Sequence, residues 1–152
     1  MASPATTVHA SAVLVGARAV VIRGPSGSGK SRLALSLIEA GRRGTLMFAR
    51  LVGDDRIFLG SAGGRVLVRP AEALAGLIEV RGAGLLRMDY EPVAVAGLVV
   101  DLAAADAERL PDNASDAVEI CGIRLPRLAV AATVEALPGV LARITSAPDR
   151  WA

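Results

Sequence analysis

Lys30 is the only lysine in a chain of 152 residues that carries sixteen arginines. It lies inside Gly24-Pro25-Ser26-Gly27-Ser28-Gly29-Lys30-Ser31, which meets the pattern Gly-x4-Gly-Lys-Ser/Thr at every fixed position. That pattern belongs to loops that cradle phosphate. A composition so biased towards arginine keeps a lysine where a broad planar guanidinium will not serve. An ammonium is a compact charge on a flexible stem, and from within a tight loop it reaches β- and γ-phosphates. The glycines let backbone N–H groups turn inward onto phosphate oxygens. The Ser31 hydroxyl is placed to ligate Mg²⁺. The alternative is a Gly/Ser turn that matches by chance, and the flanking sequence speaks against it.

Upstream, Ala19-Val20-Val21-Ile22-Arg23 reads as a buried strand. Downstream, Leu33, Ala34, Leu35, Leu37, Ile38 and Ala40 have helical spacing, which predicts a helix over 31–40 with Gly41 as its stop. Strand, glycine loop, helix is the order the chemistry needs, because it sets the positive end of a helix dipole against bound phosphate. Further elements follow. Residues 7–15 read as one strand, turned by Gly16-Ala17-Arg18 into 19–23. Residues 50–60 look extended, and Ser61-Ala62-Gly63-Gly64 is a hairpin turn into 65–68. One helical turn is expected over 70–75 and strands at 77–80, 84–88 and 95–102. A loop covers 103–116, a hairpin 117–130, and a helix 133–146 broken at Pro138-Gly139. One helix after the loop and then mostly hairpins is not a doubly wound rhythm. The sheet is expected to be mixed or largely antiparallel, in a single α/β domain spanning 1–152.

Phosphoryl transfer also asks for a metal ligand, a base and positive charge beside the moving phosphate. Asp54-Asp55 follows Leu51-Val52-Gly53, where an acid at the end of a buried strand can serve as base or hold a metal-bound water. The other reading is a solvated Asp-Asp turn. Glu79 and Arg81 fall on one face if 77–80 is a strand; they can serve metal and phosphate, or form a surface ion pair of small energy. His9, the only histidine, sits on the first strand, where a lone histidine is more often structural.

Composition removes other classes. Hydrophobic residues make up 53 % of the chain but aromatics only 3 %, which argues against base-stacking nucleic-acid surfaces. Net charge is +2 with arginines scattered, so no basic patch is visible. Cys121, the only cysteine, allows no intramolecular disulfide and no cysteine metal cluster; it reads as a buried strand residue. Neither a signal-peptide pattern nor an apolar run of about eighteen residues is present. A soluble cytoplasmic protein, without membrane or nucleic-acid partners, is the expectation.

Taken together, these residues resemble the catalytic domain of bacterial HPr kinase/phosphorylase, over roughly residues 7–110. The family pattern places a histidine on the first hairpin, then the phosphate loop, then Asp-Asp after a short apolar strand. A signature close to Glu-Ile-Arg-Gly-Leu-Gly-Ile follows, matched here by Glu79-Val80-Arg81-Gly82-Ala83-Gly84-Leu85. The resemblance implies a P-loop fold similar to phosphoenolpyruvate carboxykinase and, as substrates, ATP with Mg²⁺ and the serine of HPr or an HPr-like phosphocarrier. It implies that residues 24–31 bind the phosphates and that Ser31 and Glu79 bind Mg²⁺. Asp54 and Asp55 together supply the base, which of the two being left open. His9 lines the pocket, and Arg81 and Arg109 are the phosphate-side cations. It further implies a homo-oligomer, usually a hexamer, and the short form without the usual N-terminal domain. Residues 42–50 are longer than the family's corresponding segment. The late segment tied to dephosphorylation has no clear match, so kinase activity comes first and reversal by phosphorolysis stays open. Outside the resemblance, a P-loop ATPase or small-metabolite kinase, and a non-catalytic ATP sensor, are the competing readings.

Overall fold

The computed structural model describes residues 3–107, 116–147 and 150–151. Its strands are β1 (Ser3–Val8), β2 (Ser11–Val15), β3 (Arg18–Arg23), β4 (Ala49–Gly53), β5 (Ile57–Ala62) and β6 (Arg65–Pro70). They continue as β7 (Leu77–Val80), β8 (Gly84–Arg87), β9 (Ala94–Leu102), β10 (Ala117–Ile120) and β11 (Ile123–Val130). The helices are α1 (Lys30–Arg42) and α2 (Ala136–Thr145), with one 3-10 turn at Glu72–Leu74. The main sheet runs β1-β5-β6-β9-β3-β2-β4, and β11 lies beside the last residues of β9 with β10 outside it. β3–β9 and β9–β11 are parallel and the remaining pairs antiparallel, the mixed α/β arrangement expected. β7 and β8 form a separate hairpin.

Alternation along the central strands divides the core in two. Val13, Val15, Val20, Ile22, Leu98 and Val100 pack with α1, α2 and Trp151. Ala12, Ala19, Val21 and Val99 face the other way, against Ile57, Leu59, Val66 and Val68 of β5 and β6. The sheet therefore curls until its outer strands cover the face that no helix covers. That curl splits the single strand expected over 7–15. β1 joins β5 in the outer layer, while β2 pairs with β3 and β4. Val8, Ala10 and Ala12 all line the second cluster, so the alternation stays in phase through the bend and cannot report it.

Three other expectations are corrected. Gly41 does not stop α1; a Cβ there would come within 2.8 Å of the Ala49 Cβ, so this glycine lets β4 approach the helix. The chain leaves the helix through Gly44, at φ 79°. Pro138 and Gly139 lie in the first turn of α2, where a missing N–H breaks no intrahelical bond, so the helix is continuous. Cys121 is not a strand residue. It forms the two-residue turn between β10 and β11 with Gly122, both at positive φ, the backbone of a tight hairpin.

A charge network ties the carboxyl ends of β3 and β9 to the middle of β11. Asp101 accepts hydrogen bonds from Arg23 Nε (2.7 Å) and Nη2 (2.8 Å) and from Arg127 Nε (2.6 Å). Arg127 also grips Asp106 with both terminal nitrogens. Burial pushes the Asp101 carboxyl up, but the two arginines outweigh it and hold it below the usual carboxylate range. The hydrogen bond to Asp106, opposed by burial and reinforced by both aspartates, raises the Arg127 guanidinium above its usual value. Arg23 immediately precedes Gly24, so the network anchors the strand end from which the phosphate loop departs.

Two outcomes follow. Because the folded-state pKa of Asp101 is depressed, its contribution is complete above the unfolded value of about 3.9 and is lost as pH falls through the folded value. Asp101→Asn is expected to cost about 1–3 kcal/mol at pH 7, with the gap to wild type closing below about pH 4 in denaturant melts at several pH values. Gly16 stands at φ 59°, and a Cβ there would lie 1.9 Å from the Trp151 carbonyl oxygen, which accepts the Ala17 N–H at 2.9 Å. Gly16→Ala should destabilise by more than about 1 kcal/mol and expose the buried Trp151, read as a red shift in tryptophan emission.

Candidate active site

The phosphate loop leaves β3, which lies between parallel β9 and antiparallel β2, and ends at the N-terminus of α1. Gly27 and Gly29 adopt φ of 80° and 98°, a left-handed backbone that L side chains resist. Gly29 caps the helix, so the glycine pattern is a conformational requirement. Lys30 is buried, and its Nζ donates to the carbonyls of Gly24 (2.8 Å) and Pro25 (3.0 Å). The ammonium is thus folded over the loop it belongs to. A phosphate entering the cradle offers a stronger, charged acceptor for the same group.

β4 delivers the two acids to opposite sides. The Arg56 N–H donates to the Asp54 carbonyl at 2.7 Å across a single residue, Asp55, whose φ is 67°. This three-residue γ-turn is a strained reversal, and aspartate tolerates its left-handed centre better than most residues. Gly53 admits the turn: a Cβ there would meet Ile57 Cγ2 at 2.8 Å and Pro70 Cα at 3.1 Å.

Asp54 points inward and is 3 % exposed. Its Oδ1 accepts Ser11 Oγ at 2.5 Å and Ser31 Oγ at 2.8 Å; its Oδ2 accepts Ser31 Oγ at 2.9 Å and the Glu79 N–H at 3.1 Å. Asp55 points outward, its Oδ1 2.8 Å from His9 Nε2. Both partners are more than half exposed, so the pair adds little to stability and both groups stay accessible to an incoming molecule. With the carboxylate as acceptor, Nε2 carries the proton.

The fold thus gathers His9, residues 24–31, Asp54, Asp55 and the backbone of Glu79. It gathers less of the rest. The Glu79 side chain is exposed, and β7 ends at Val80, so Arg81 begins the turn and the alternation that would align it with Glu79 stops short. Of the described residues, neither takes an ion pair, which removes the surface-pair reading for these two. Arg109 lies outside the described residues. Among the described residues no three His, Cys, Asp or Glu side chains form a metal site by themselves. The available donors are hard oxygens, Ser31 Oγ and Asp54, which suit Mg²⁺ completed by phosphate oxygens and water. Sequence patterns passed over Ser11. Its only signal is a hydroxyl in the run Ala10-Ser11-Ala12-Val13.

Comparisons with known proteins identify the family of the chain. The family model described as "HPr Serine kinase C-terminal domain" matches residues 1–136, further than the resemblance drawn from motifs. The chain is 33 % identical over 139 residues to an HPr kinase/phosphorylase of Streptococcus gordonii, covering 82 % of this chain and 42 % of that protein. It is 33 % identical over 139 residues to one of Geobacillus thermodenitrificans, covering 84 % and 43 %. The chain therefore spans less than half the length of these curated relatives. The solved structure titled "Structure of the Hpr(Ser) kinase/phosphatase from Coxiella burnetii" superposes with a TM-score of 0.74 at 22 % identity, covering 95 % of this chain and 96 % of that one, a likeness of fold. No helix of the described residues is long and apolar enough to cross a membrane.

The two aspartates should separate by stability before any activity is measured. Asp54→Ala strands two hydroxyls and an N–H in a buried site, and a loss of about 1–3 kcal/mol is expected. Asp55→Asn keeps a residue that accepts positive φ and should stay within about 0.5 kcal/mol of wild type. Urea melts of the two variants give the comparison.

Proposed function

The chain belongs to the HPr serine kinase C-terminal domain family, and on that premise we propose that it transfers the γ-phosphoryl group of ATP to a serine of HPr or an HPr-like phosphocarrier. The observation that carries this reading is the γ-turn that sends Asp54 to Ser31 and Asp55 to His9 beside one phosphate loop. A protein-serine kinase needs a cation side and a base side within one phosphoryl's width, and the two acids divide that work.

Residues 24–31 would hold the ATP phosphates through inward N–H groups, with Lys30 exchanging the Gly24 and Pro25 carbonyls for β- and γ-phosphate oxygens. Ser31 and Asp54 would hold Mg²⁺: the Ser31 proton already points at the carboxylate, which leaves the hydroxyl lone pairs free for a cation. Bound there, Mg²⁺ supplies charge neutralisation on the phosphates. Glu79, side chain exposed beside this point, is a further ligand by family resemblance.

Asp55 is the base in this reading. It accepts the proton of the substrate serine, whose oxygen forms a bond to the γ-phosphorus as the bond to the bridging oxygen breaks. ADP departs with that electron pair. His9 holds the Asp55 carboxylate in place by its Nε2–H, and the exposure of both suits a protein-borne hydroxyl. In the reverse direction the same carboxyl returns the proton to the serine as inorganic phosphate takes the phosphoryl group. Arg81 and Arg109 are assigned to the phosphate side by family resemblance alone. The remainder of the reading is a single P-loop domain of the phosphoenolpyruvate-carboxykinase-like type, hexameric and cytoplasmic.

Mass spectrometry of the organism's HPr after incubation with this protein, ATP and Mg²⁺ tests the proposal. One added phosphate on a serine is expected. Lys30→Ala should abolish it, and Asp55→Asn should lower the rate about 10²–10⁴-fold while nucleotide binding persists. ATP turnover without acceptor phosphorylation would move the assignment to an ATPase or small-metabolite kinase. Binding without turnover would move it to a sensor.

A further inference from the structure

Among the described residues, three polar or charged side chains are buried: Ser11, Lys30 and Asp54. Lys30 and Asp54 belong to motifs that explain them. Ser11 does not. It is fully buried on β2, opposite Ile22 of β3, in a strand otherwise made of alanine, valine and leucine. Packing alone would be served by another small apolar residue there, and a buried hydroxyl is tolerated only when hydrogen-bonded. Its one acceptor is Asp54 Oδ1, at 2.5 Å, the short distance of a hydrogen bond to a charged oxygen.

We propose that Ser11 is a positioning residue for the cation side of the site: its hydroxyl fixes the rotation of the Asp54 carboxylate and so the direction in which Ser31 presents its free lone pairs. The last torsion of aspartate is soft and broadly populated, so outside contacts must define it. Three elements supply them. Ser11 comes from β2, Ser31 from α1 and the Glu79 N–H from the start of the β7–β8 hairpin. Ser31 straddles both carboxylate oxygens at 2.8 and 2.9 Å, close to the bisector, where it resists rotation weakly. Ser11 and the Glu79 N–H pull on different oxygens and set the angle. Removing Ser11 leaves one of that pair. The carboxylate can then turn, and the Ser31 proton follows its acceptor.

The inference rests on the reading that Ser31 and Asp54 take Mg²⁺ together with a nucleotide, and its test separates the two. Calorimetric titration of Mg²⁺ into the protein with a non-hydrolysable ATP analogue would be run on wild type, Ser11→Ala, Ser11→Thr and Ser11→Cys. Analogue affinity in EDTA and thermal melting would be measured alongside. Ser11→Ala is expected to raise the half-saturating Mg²⁺ concentration about 10-fold, within the range for loss of a partner to a metal-holding group. Analogue affinity in EDTA should stay within about 2-fold of wild type, since no phosphate contact is removed. Ser11→Thr, which keeps the hydroxyl, should titrate like wild type. Ser11→Cys, a weak donor, should fall between them and carries the comparison if Ser11→Ala does not fold. A wild-type Mg²⁺ titration in folded Ser11→Ala or Ser11→Cys overturns the proposal. So does equal weakening in Ser11→Thr and Ser11→Ala, which would mean packing alone. If wild type itself shows no Mg²⁺-dependent binding, the cation reading falls first and this inference with it.

Discussion

The arrangement depends on one buried carboxylate. Asp54 is an ion removed from water, and such an ion is tolerable only if most of its acceptor directions are filled. Its donors arrive from β2, from α1 and from the start of the β7–β8 hairpin. Satisfying that one group therefore sets the distance between the helix that carries the phosphate loop, the strand beneath it and the hairpin beside it. A carboxylate so placed is a structural tie and a chemical group at once. It also takes up the Ser31 proton, so that the lone pairs of the hydroxyl oxygen are left available.

The second constraint is geometric. Two consecutive acids must face different partners, and in an extended strand they would do so only by pointing to opposite faces of the sheet. The γ-turn at Asp55 does something else. It reverses the chain at the sheet's end, so that one acid stays in the interior and the other emerges beside His9. Positive φ at a non-glycine residue has a cost, and here that cost coincides with the separation of an inward, cation-facing acid from an outward, proton-accepting one. The proposed division of labour rests on that turn.

Rigidity beneath the loop comes from elsewhere. Parallel pairing of β3 with β9 and of β9 with β11 sets the ends of β3 and β9 beside the middle of β11, and Arg23, Asp101 and Arg127 bind them to one another. The loop leaves from a fixed point, and the glycine backbone does the bending. The sheet bends between β1 and β2, and His9 lies in that bend. Ala12 opposite Gly53 on one side of that bend and Val8 opposite Ile57 on the other set His9 beside Asp55.

Much of this was legible in the order of residues. The phosphate loop, the strand before it, the helix after it, the Gly63-Gly64 hairpin and the mixed sheet all depend on local rules: periodicity, glycine conformations and turn chemistry act over a few residues, so the sequence encodes them directly. His9, Lys30, Asp54 and Asp55 could be named as candidates because their types carry chemistry. What the chain order did not disclose is long-range. Ser11 acquires meaning only because β2 passes Asp54, 43 positions later. Asp54 and Asp55 are equivalent until a single hydrogen bond bends the backbone between them. Glu79 reaches the site through its N–H, a group every residue but proline possesses and no motif records. Local patterns determine which elements form; which side chains meet is decided by how a curled sheet closes on itself, since contacts between residues far apart in the chain exist only once the core has packed.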